Sequence, residues 1–294
     1  MKPAAFDYHR VDRVEDALDR LAELGEDAKV LAGGQSLVAM MNFRLVRPPA
    51  LVDITRIPDL DYVARDGDVL RIGALTSHRE IELLRDPGVI AGYEVLPRAA
   101  RWVGHYPIRT RGTFGGSIAH ADPSAEWCML ALALDATIVA TGPEGEREIP
   151  AADFFLGFFT TALEAGELVT EVRFPQPRPH AALHEFARRH GDFAIVAAAV
   201  AVDVDGDHMH DARIVVGGVD EVPLRVHAAE QALEGAAPGA EAFAEAGRAA
   251  AAAVDPSSDV HGSAQYRKDL TDVLVRRALA EAIHADRRGS DARG

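Results

Sequence analysis

The sequence predicts an α+β protein, in which a two-lobed α/β unit is followed by a smaller α+β domain with an antiparallel sheet and helices. Three observations support this prediction. The first sixty or so residues, roughly one small unit, show a β-turn-α-β pattern typical of α/β folds. PQPRPH at 175–180 has three prolines in six residues, which indicates a boundary. A hairpin pattern and helices follow it. The predicted units are 1–176 (lobes 1–58 and 59–176), 177–285 and a flexible tail at 286–294.

The first lobe opens with a helix and a strand that carry clear local signals. Val14, Leu18 and Leu21 recur at helical spacing, and Gly25 stands where a helix C-cap is expected. KVLAG then reads as a short strand and QSLVAMMNFRLV as a helical or turn segment that a Pro-Pro pair stops. ALVDI reads as a second strand. This order predicts a strand, a glycine turn, a helix and a strand.

The second lobe is predicted to open with a hairpin and then to alternate helices with strands. Alternating apolar residues flank Asp66-Gly67, a dipeptide typical of a two-residue turn. SHREIELLRD reads as a helix closed by Pro87-Gly88, and GYEVLPRAARWVG reads as another helix. A helix over PSAEWCMLALALDA has Pro123 in its first turn, and TIVATGPEGEREIP reads as strand, turn and strand. The chain then runs through DFFLGFFTTALEAGELVTEVRFP into a further strand.

The C-terminal unit is predicted to combine a hairpin with helices. FAIVAAAVAVDVDGDHMHDARIVVGGV reads as two strands that turn at Asp205-Gly206. HAAEQALEG and the alanine-rich run up to Val254 read as helices. SAQYRKDLTDVLVRRALAEAI predicts a long amphipathic helix with its leucines on one side. The chain shows no repeat of solenoid length.

Composition excludes several classes of function. The 294 residues include 46 acidic and 31 basic ones, a net charge of −15 without a basic stripe, so we expect no nucleic-acid partner. Cys128 is the single cysteine, which excludes an intramolecular disulfide, an iron–sulfur cluster and a thiolate zinc site on this chain. Neither a signal-peptide pattern nor a membrane-spanning run is present. We expect a cytoplasmic protein without a transmembrane segment, and peripheral association with the inner membrane face stays open.

Two glycine motifs follow predicted strands or turns and precede helical patterns. AGGQSL lies at 32–37 and TFGGSIA at 113–119. Glycine lets backbone amides approach an anion, and the first amides of a helix are unpaired. Ser36, Thr113 and Ser117 add hydroxyl groups. Two such motifs could hold both phosphates of a dinucleotide, although one alone is more often a plain turn. Neither matches G-x-G-x-x-G or G-x-x-x-x-G-K-[ST].

Other candidate residues have plainer explanations. Asp122 is expected to cap the helix that follows it, and His120 stays open between a phosphate donor and a satisfied loop histidine. DVDGDHMH fails as a calcium loop, because its glycine comes too early and Ile214 stands where the closing glutamate is needed. Cys128 is expected to pack inertly in an apolar helix. FFLGFF at 154–159 is expected in the core, and an exposed part would indicate a partner surface.

The order of these segments resembles a known family. AGGQSLVAMMNFRLVRPPALVDI, GALTSHREIE, IRTRGTFGGSIAHADPSAE and GDFAIVAAAV are similar to segments of the FAD-binding medium subunit of the molybdenum hydroxylases. The similarity continues through GGVDEVPLR, AEQALEG and SAQYRKDLTDVLVRRAL, so it covers nearly the whole chain. This family includes the flavoprotein subunit of aerobic carbon monoxide dehydrogenase and the FAD domain of xanthine dehydrogenase. The resemblance implies a PCMH-type FAD-binding domain followed by a C-terminal flavoprotein domain.

The resemblance also implies which residues hold FAD. It assigns both glycine motifs to the pyrophosphate, Val103 to the surroundings of the flavin nucleotide and Glu126 to the ribose end. Leu168 takes a cofactor-lining position, and Phe193 becomes a neighbour of the isoalloxazine ring. Phe193 stands where many members carry tyrosine, and Ser117 stands where asparagine is common. The full expected set is Ala32, Gly33, Gly34, Gln35, Ser36, Leu37, Val103, Thr113, Phe114, Gly115, Gly116, Ser117, Glu126, Leu168 and Phe193.

By the same resemblance, the chain is expected to be an electron-transfer subunit with FAD as its cofactor. A large molybdopterin subunit would oxidise the substrate, a small subunit with two iron–sulfur clusters would relay electrons, and FAD would deliver them to an acceptor, in a dimer of heterotrimers. This chain is expected to carry neither a catalytic acid or base nor a metal site. A self-contained FAD-dependent oxidase or reductase and a flavin-free structural subunit are the alternatives. The substrate (carbon monoxide, purine, caffeine, nicotine derivative or aldehyde) and the acceptor (NAD, quinone or oxygen) stay open.

Overall fold

The computed structural model describes residues 2–291, with side chains described up to residue 284. Its first lobe is a three-stranded parallel sheet of order β1-β3-β2 with one helix packed on it. Acidic residues open the first helix, and Gly25 ends it with a φ of +78°. The sequence does not predict β1, because DYHR lacks apolar alternation and forms a strand only by pairing with β3. The elements are β1 (Asp7–Arg10), α1 (Val14–Leu24), β2 (Lys29–Leu31), α2 (Leu37–Asn42) and β3 (Ala50–Asp53).

The second lobe surrounds a five-stranded antiparallel sheet. After a 3-10 turn (Pro58–Leu60), its elements are β4 (Val63–Asp66), β5 (Val69–Gly73), α3 (His78–Leu83), α4 (Pro87–Ile90), α5 (Val95–Ala99), α6 (Tyr106–Arg109), α7 (Phe114–His120), α8 (Glu126–Ala133), β6 (Thr137–Gly142), β7 (Gly145–Pro150), α9 (Ala151–Phe154), β8 (Phe155–Gly157), β9 (Thr160–Thr161) and β10 (Leu168–Phe174). The strand order is β4-β5-β10-β6-β7, and β8 pairs with β9 separately. Helix α8 is apolar on all sides and buried over 127–133, so it forms the centre of this core.

Two helices of the second lobe differ from their predicted bounds. The helix predicted over 92–104 is confined to α5. Helix α8 begins at Glu126 and not at Pro123, because the preceding residues form a separate turn. In this turn the amide of Ser124 donates to Oδ1 of Asp122 at 2.8 Å. Asp122 therefore caps the turn, and the prediction that it caps the helix is wrong.

The C-terminal domain packs helices on one face of a four-stranded antiparallel sheet of order β11-β12-β13-β14. Side chains of β12 alternate between two cores, so both faces of this strand are buried: odd positions from 197 to 201 face the second lobe, and even positions from 196 to 202 face the helices. Of the predicted flexible tail, 292–294 lies outside the described residues. The elements are β11 (Ala181–Phe186), β12 (Val196–Asp205), β13 (His208–Gly217), β14 (Leu224–Arg225), α10 (His227–Gln231), α11 (Ala240–Ala253) and α12 (Ala264–Asp291).

Both predicted hairpins form, and both turn one residue later than predicted. Asp66 pairs with Val69, so the first hairpin turns at Gly67-Asp68. Asp205 pairs with its partner on β13 in the same way, so the second turns at Gly206-Asp207. Each turn begins with a glycine, whose φ is +59° in the first and +58° in the second. A positive φ at the first turn position matches the right-handed twist of the strands and favours glycine there.

The proline-rich linker is held by Arg178. This residue is 2% exposed, and its guanidinium contacts Asp203 at 2.8 Å and Asp211 at 2.7 Å on the C-terminal sheet. It also contacts Asp135 of the second lobe at 3.6 Å, and its amide donates to the Gly92 carbonyl at 2.7 Å. A buried cation is tolerated only while its counter-charges are in place. The linker therefore fixes the C-terminal domain against the second lobe, on which the cleft described below depends.

Candidate functional site

A cleft of about 470 Å³ opens where the first lobe, α7 and the chain between β11 and β12 meet. The end of β2 and the start of α2 form one wall, the start of α7 forms the second, and residues 191–194 close a third side. Volumes of this order are typical of small-molecule and cofactor sites. Two segments with glycine pairs line the cleft and approach each other. We call 32–37 the first glycine bend and 113–117 the second glycine bend.

The first glycine bend presents unpaired backbone amides. Gly34 has a φ of +70°, in the left-handed region that glycine adopts readily. The amides of 33–36 have no acceptor among the residues that the structure describes. The bend is closed by the Val38 amide, which donates to the Gly34 carbonyl at 3.0 Å where α2 begins. Four unpaired donors that line a cleft are available to an anionic group.

In the second glycine bend the four amides that follow Thr113 are hydrogen-bonded within the protein, although its sequence predicts the same use. Thr113 is the N-cap of α7, and its hydroxyl and carbonyl accept from two of the amides that follow it. Carbonyl oxygens of Ala74 and Thr76 accept from the other two. At 2.9 to 3.2 Å from these acceptors lie the amides of Phe114, Gly115, Gly116 and Ser117. The expectation that these amides bind an anion is therefore wrong, and the bend offers hydroxyl groups instead.

The two bends meet in space, and the contact requires glycine. A Cβ added at Gly33 would lie 2.2 Å from the carbonyl oxygen of Arg111 and 2.7 Å from Cα of Gly112. A Cβ added at Gly116 would lie 3.7 Å from the Cβ of Ala32. Any side chain at residue 33 would therefore push the first bend away from the chain that leads into the second. The sequence predicts the two bends but does not show this contact.

All residues of the expected site line the cleft except Phe114. Phe114 is fully buried, and its ring lies 4.9 Å from that of Trp127 in the core of the second lobe. Its placement follows from α7, which turns Phe114 and Ile118 together towards the core. Phe114 thus anchors the second bend to the core and does not line the cleft. At the opposite extreme, Phe193 is 73% exposed on the rim.

Seven polar residues of the cleft wall lie outside the expected set: Lys29, His78, His120, Asp122, Ser124, Glu167 and Asp192. Glu167 is engaged by Arg147, whose Nε lies 2.6 Å from its Oε1. His78 is the first residue of α3, directly after the N-cap Ser77. A signal for its position exists in the sequence, because S-x-x-E over 77–80 forms a capping box that places a helix start at the end of a strand. That motif does not show that the helix start faces a ligand site.

His120 lines the cleft as well, and its ring stacks on that of Phe159 with centroids 4.8 Å apart. Burial lowers the pKa of His120, which favours its neutral form. Phe159 belongs to FFLGFF, which the structure divides. The expected core position is confirmed for Phe154 and Phe155. The exposed part of the segment comprises Leu156, Phe158 and Phe159.

The acidic side of the cleft carries less negative charge than its composition suggests. Burial and the neighbouring Asp122 raise the pKa of Glu126 to about 7. Burial raises the pKa of Asp122, and burial followed by the charge of Glu126 raises the pKa of Glu185 on β11. Carboxyl groups crowded at low exposure hold protons to higher pH. This wall can therefore face an anionic ligand with a reduced electrostatic penalty.

Cys128 has a packing role. It is buried in α8, its thiol lies 3.8 Å from the Ser117 carbonyl oxygen, and burial raises the pKa of the thiol above its ordinary value. Within 2–291, no group of three His, Cys, Asp or Glu residues is arranged to hold a metal ion. None of the helices that the structure describes has the length and apolar character of a membrane span.

Comparison with known proteins decides the family. The model of the FAD-binding domain in molybdopterin dehydrogenases matches residues 4–177, and that of the CO dehydrogenase flavoprotein C-terminal domain matches 181–282. The chain belongs to the FAD-binding medium subunits of the molybdenum hydroxylases. It is 44% identical to 6-hydroxypseudooxynicotine dehydrogenase complex subunit alpha of Paenarthrobacter nicotinovorans, over 98% of this chain and 97% of that one. It is 37% identical to the carbon monoxide dehydrogenase medium chain of Hydrogenophaga pseudoflava, over 96% and 98%.

A solved structure supports the fold of this medium subunit. A chain of carbon monoxide dehydrogenase from Hydrogenophaga pseudoflava superposes with a TM-score of 0.92 at 38% identity, covering 97% of this chain and 99% of that one. The predicted α+β fold and FAD as the cofactor are thereby confirmed. The cleft of the medium subunit fits such a group, because it combines four amides that have no acceptor among the described residues, the hydroxyls of Ser36, Thr113, Ser117 and Ser124, and a long wall of small residues.

Proposed function

We propose that FAD lies in the cleft with its diphosphate against the first glycine bend, and that the chain passes electrons through this FAD to an external acceptor. The observation that carries the proposal is the row of unpaired amides at 33–36, which stands at the junction of the two bends. Peptide amides bind phosphate oxygens without requiring a cation. This suits a chain with only three lysines, of which Lys29 lines the cleft.

The two bends then have different tasks towards FAD. The first binds the diphosphate through its amides, and the second adds the hydroxyls of Thr113 and Ser117. Glu126 faces the ribose end, where its raised pKa lets it act as a hydrogen-bond donor or acceptor. Phe193 lies beside the isoalloxazine on the rim. Phenylalanine has no hydroxyl, so this residue contributes ring contact only.

When bound, FAD supplies one-electron and two-electron transfer, and the protein supplies binding, orientation and shielding. The residues of the cleft hold the diphosphate end in a part of the protein where side chains and amides replace water. The rim at Phe193 stays open to other molecules, since this side chain is 73% exposed. Electron exchange needs proximity and no proton donor from the chain. The proposal therefore assigns no catalytic acid or base to this chain.

The medium subunit works within a complex in this proposal. Two relatives that match over nearly their full length are a medium chain and a complex subunit, which favours a subunit role over a self-contained flavoenzyme. A large molybdopterin subunit and a small iron–sulfur subunit, in a cytoplasmic dimer of heterotrimers, are the partners we propose. The relatives belong to enzymes named for carbon monoxide and for a nicotine derivative. We therefore assign substrate choice to the large partner.

Gly34→Asp tests the placement of FAD. The new carboxylate would stand against the diphosphate, and its Cβ would lie 3.1 Å from Leu31 Cδ1, so we expect a purified protein that retains almost no flavin. Gly206→Asp is the matched control, because Gly206 also has a positive φ, of +58°, but lies in open space at a hairpin tip. Flavin content is measured by absorbance after acid precipitation, which should release all FAD from the wild type. Equal flavin content in both variants would contradict the placement.

A further inference from the structure

His78 is an unusual polar group in the cleft wall. It is only 5% exposed, and it lines the cleft from the start of α3. Its Nδ1 accepts a hydrogen bond from the indole Nε1 of Trp127 at 3.0 Å. Trp127 itself is fully buried in α8. The imidazole is thus held on one side by a rigid core residue, while its other side faces the cleft.

The contact with Trp127 determines where the imidazole proton resides. An indole N–H is only a donor, so Nδ1 of His78 must present a lone pair. The proton of the neutral ring therefore sits on Nε2. Burial and the nearby charge of Arg109 lower the pKa of His78 to about 4, so the ring is neutral at physiological pH. His78 consequently offers one N–H donor of fixed direction and no positive charge.

The Nε2 of His78 has no acceptor among the residues that the structure describes. It stands beside the junction of the two bends, because a Cβ added at Gly112 would lie 2.7 Å from it. The Cα of Gly112 lies in turn 2.7 Å from the Cβ position of Gly33. The Nε2 atom is not among the buried polar atoms that lack a partner, so it keeps a surface towards the cleft that His78 lines. A donor of fixed direction that opens into a cofactor cleft and has no protein acceptor is available to an acceptor on the ligand.

We propose that the Nε2–H of His78 donates a hydrogen bond to a diphosphate oxygen of the bound FAD, and that Trp127 is the positioning residue that fixes this proton. The inference rests on the proposed placement of FAD in the cleft. It adds a neutral donor from α3 to the amides of the first bend. Because the donor carries no charge, its contribution depends on direction, which is why the tautomer matters.

Variants of the full chain, freed of flavin and titrated with FAD, test the proposal. His78→Phe keeps an aromatic ring but removes the donor, and we expect the dissociation constant to rise about tenfold. His78→Gln restores an N–H near the Nε2 position and should stay within about threefold of wild type. Tyr93→Phe is the control, since Tyr93 is equally buried in the same core but does not line the cleft. It should lower thermal stability and leave FAD affinity unchanged.

Nitrogen NMR of the wild-type chain labelled in its histidines gives a readout that does not depend on variants folding. The His78 ring should show protonated Nε2 and unprotonated Nδ1, and FAD should shift the Nε2–H resonance. Trp127→Phe should produce a mixture of tautomers and a weaker FAD complex. If His78→Phe binds FAD as tightly as wild type, or if the Nε2–H resonance does not shift when FAD is added, the proposal is wrong. If Gly34→Asp meanwhile loses its flavin, the placement of FAD stands and only the role of His78 falls.

Discussion

The two glycine bends share a sequence pattern but use their glycines in opposite ways. In the first, amides at 33–36 stay unpaired and Gly34 adopts a positive φ. In the second, all four amides after Thr113 are hydrogen-bonded within the protein. Its glycines serve close packing, since a Cβ at Gly115 would lie 2.4 Å from that of Ala74. A glycine pair before a helix thus indicates either a binding surface or a packed wall, and hydrogen-bond partners distinguish the two.

Neighbouring structure explains the difference between the bends. The second bend runs beside the end of β5, whose following residues Ala74 and Thr76 present carbonyls to it. Those carbonyls would be unpaired if the bend amides turned to a ligand, so the internal bonds satisfy both sides. The first bend leaves its sheet at Leu31, and between there and the start of α2 its amides meet no such acceptors within the described part of the chain. Its amides therefore remain available, and the two bends together give one binding face and one supporting face.

The largest effect is expected at the contact between the bends. Gly33→Ala places a Cβ 2.2 Å from a backbone carbonyl that cannot move aside, and we expect FAD affinity to fall at least about 100-fold. Gly116→Ala meets the Thr113 hydroxyl at 2.6 Å, a side-chain group that can rotate, so the loss should be about tenfold. Flavin fluorescence titration measures both. If Gly116→Ala proves the more damaging variant, the first bend is not the main binding face.

An intermediate effect is expected at Thr113, the residue on which the second bend depends. Thr113→Val removes the hydroxyl that accepts from the Gly116 amide, so the free energy of unfolding should fall by about 1 kcal/mol. FAD affinity should fall about tenfold, because the same hydroxyl faces the cleft. Thr113→Ser keeps the hydroxyl and serves as control in urea unfolding and FAD titration. If Thr113→Val lowers stability but leaves FAD affinity unchanged, the second bend has only a structural role.

The smallest effect is expected from the acidic wall beyond the second bend, and it depends on pH. The folded chain holds the Glu126 proton up to about pH 7, whereas the ordinary pKa is 4.5. Its contribution to stability is therefore complete below pH 4.5 and is lost as pH rises to 7. Glu126→Gln mimics the protonated form, so its advantage over wild type should be small at pH 5, where the loss has only begun, and should reach roughly 1–3 kcal/mol at pH 7.5.

Urea unfolding of both chains at the two pH values checks this prediction. Glu245→Gln, at an exposed position of α11, is the control and should follow wild type throughout. Asp122 and Glu185 are present in both chains, so their own protons, which burial also holds to higher pH, contribute to the pH dependence of both. Stability that rises between pH 5 and 7.5 relative to Glu126→Gln would show that Glu126 is ionised in the folded chain, contrary to the expectation.

Much of the fold could be predicted because its signals are local. The apolar spacing of α1, the turn glycines of both hairpins and the proline-rich linker all act over a few residues. Elements that depend on partners were missed or misplaced. The polar strand β1 exists through its pairing with β3, and α8 begins late because Asp122 builds a turn before it. The expected site residues line one cleft except for Phe114, whose helix turns it into the core.

The sequence by itself determined the class of the protein and the chemistry of its two bends, because glycines, hydroxyls and their order along the chain are local properties. Only the tertiary structure decided which bend keeps its amides free. That depends on the carbonyls of Ala74 and Thr76, which come well before the second bend in the sequence and are brought to it by the fold. It likewise decided that Trp127 fixes the proton of His78. Hydrogen bonds between distant segments form only after the chain has packed, so no reading of adjacent residues can reveal them.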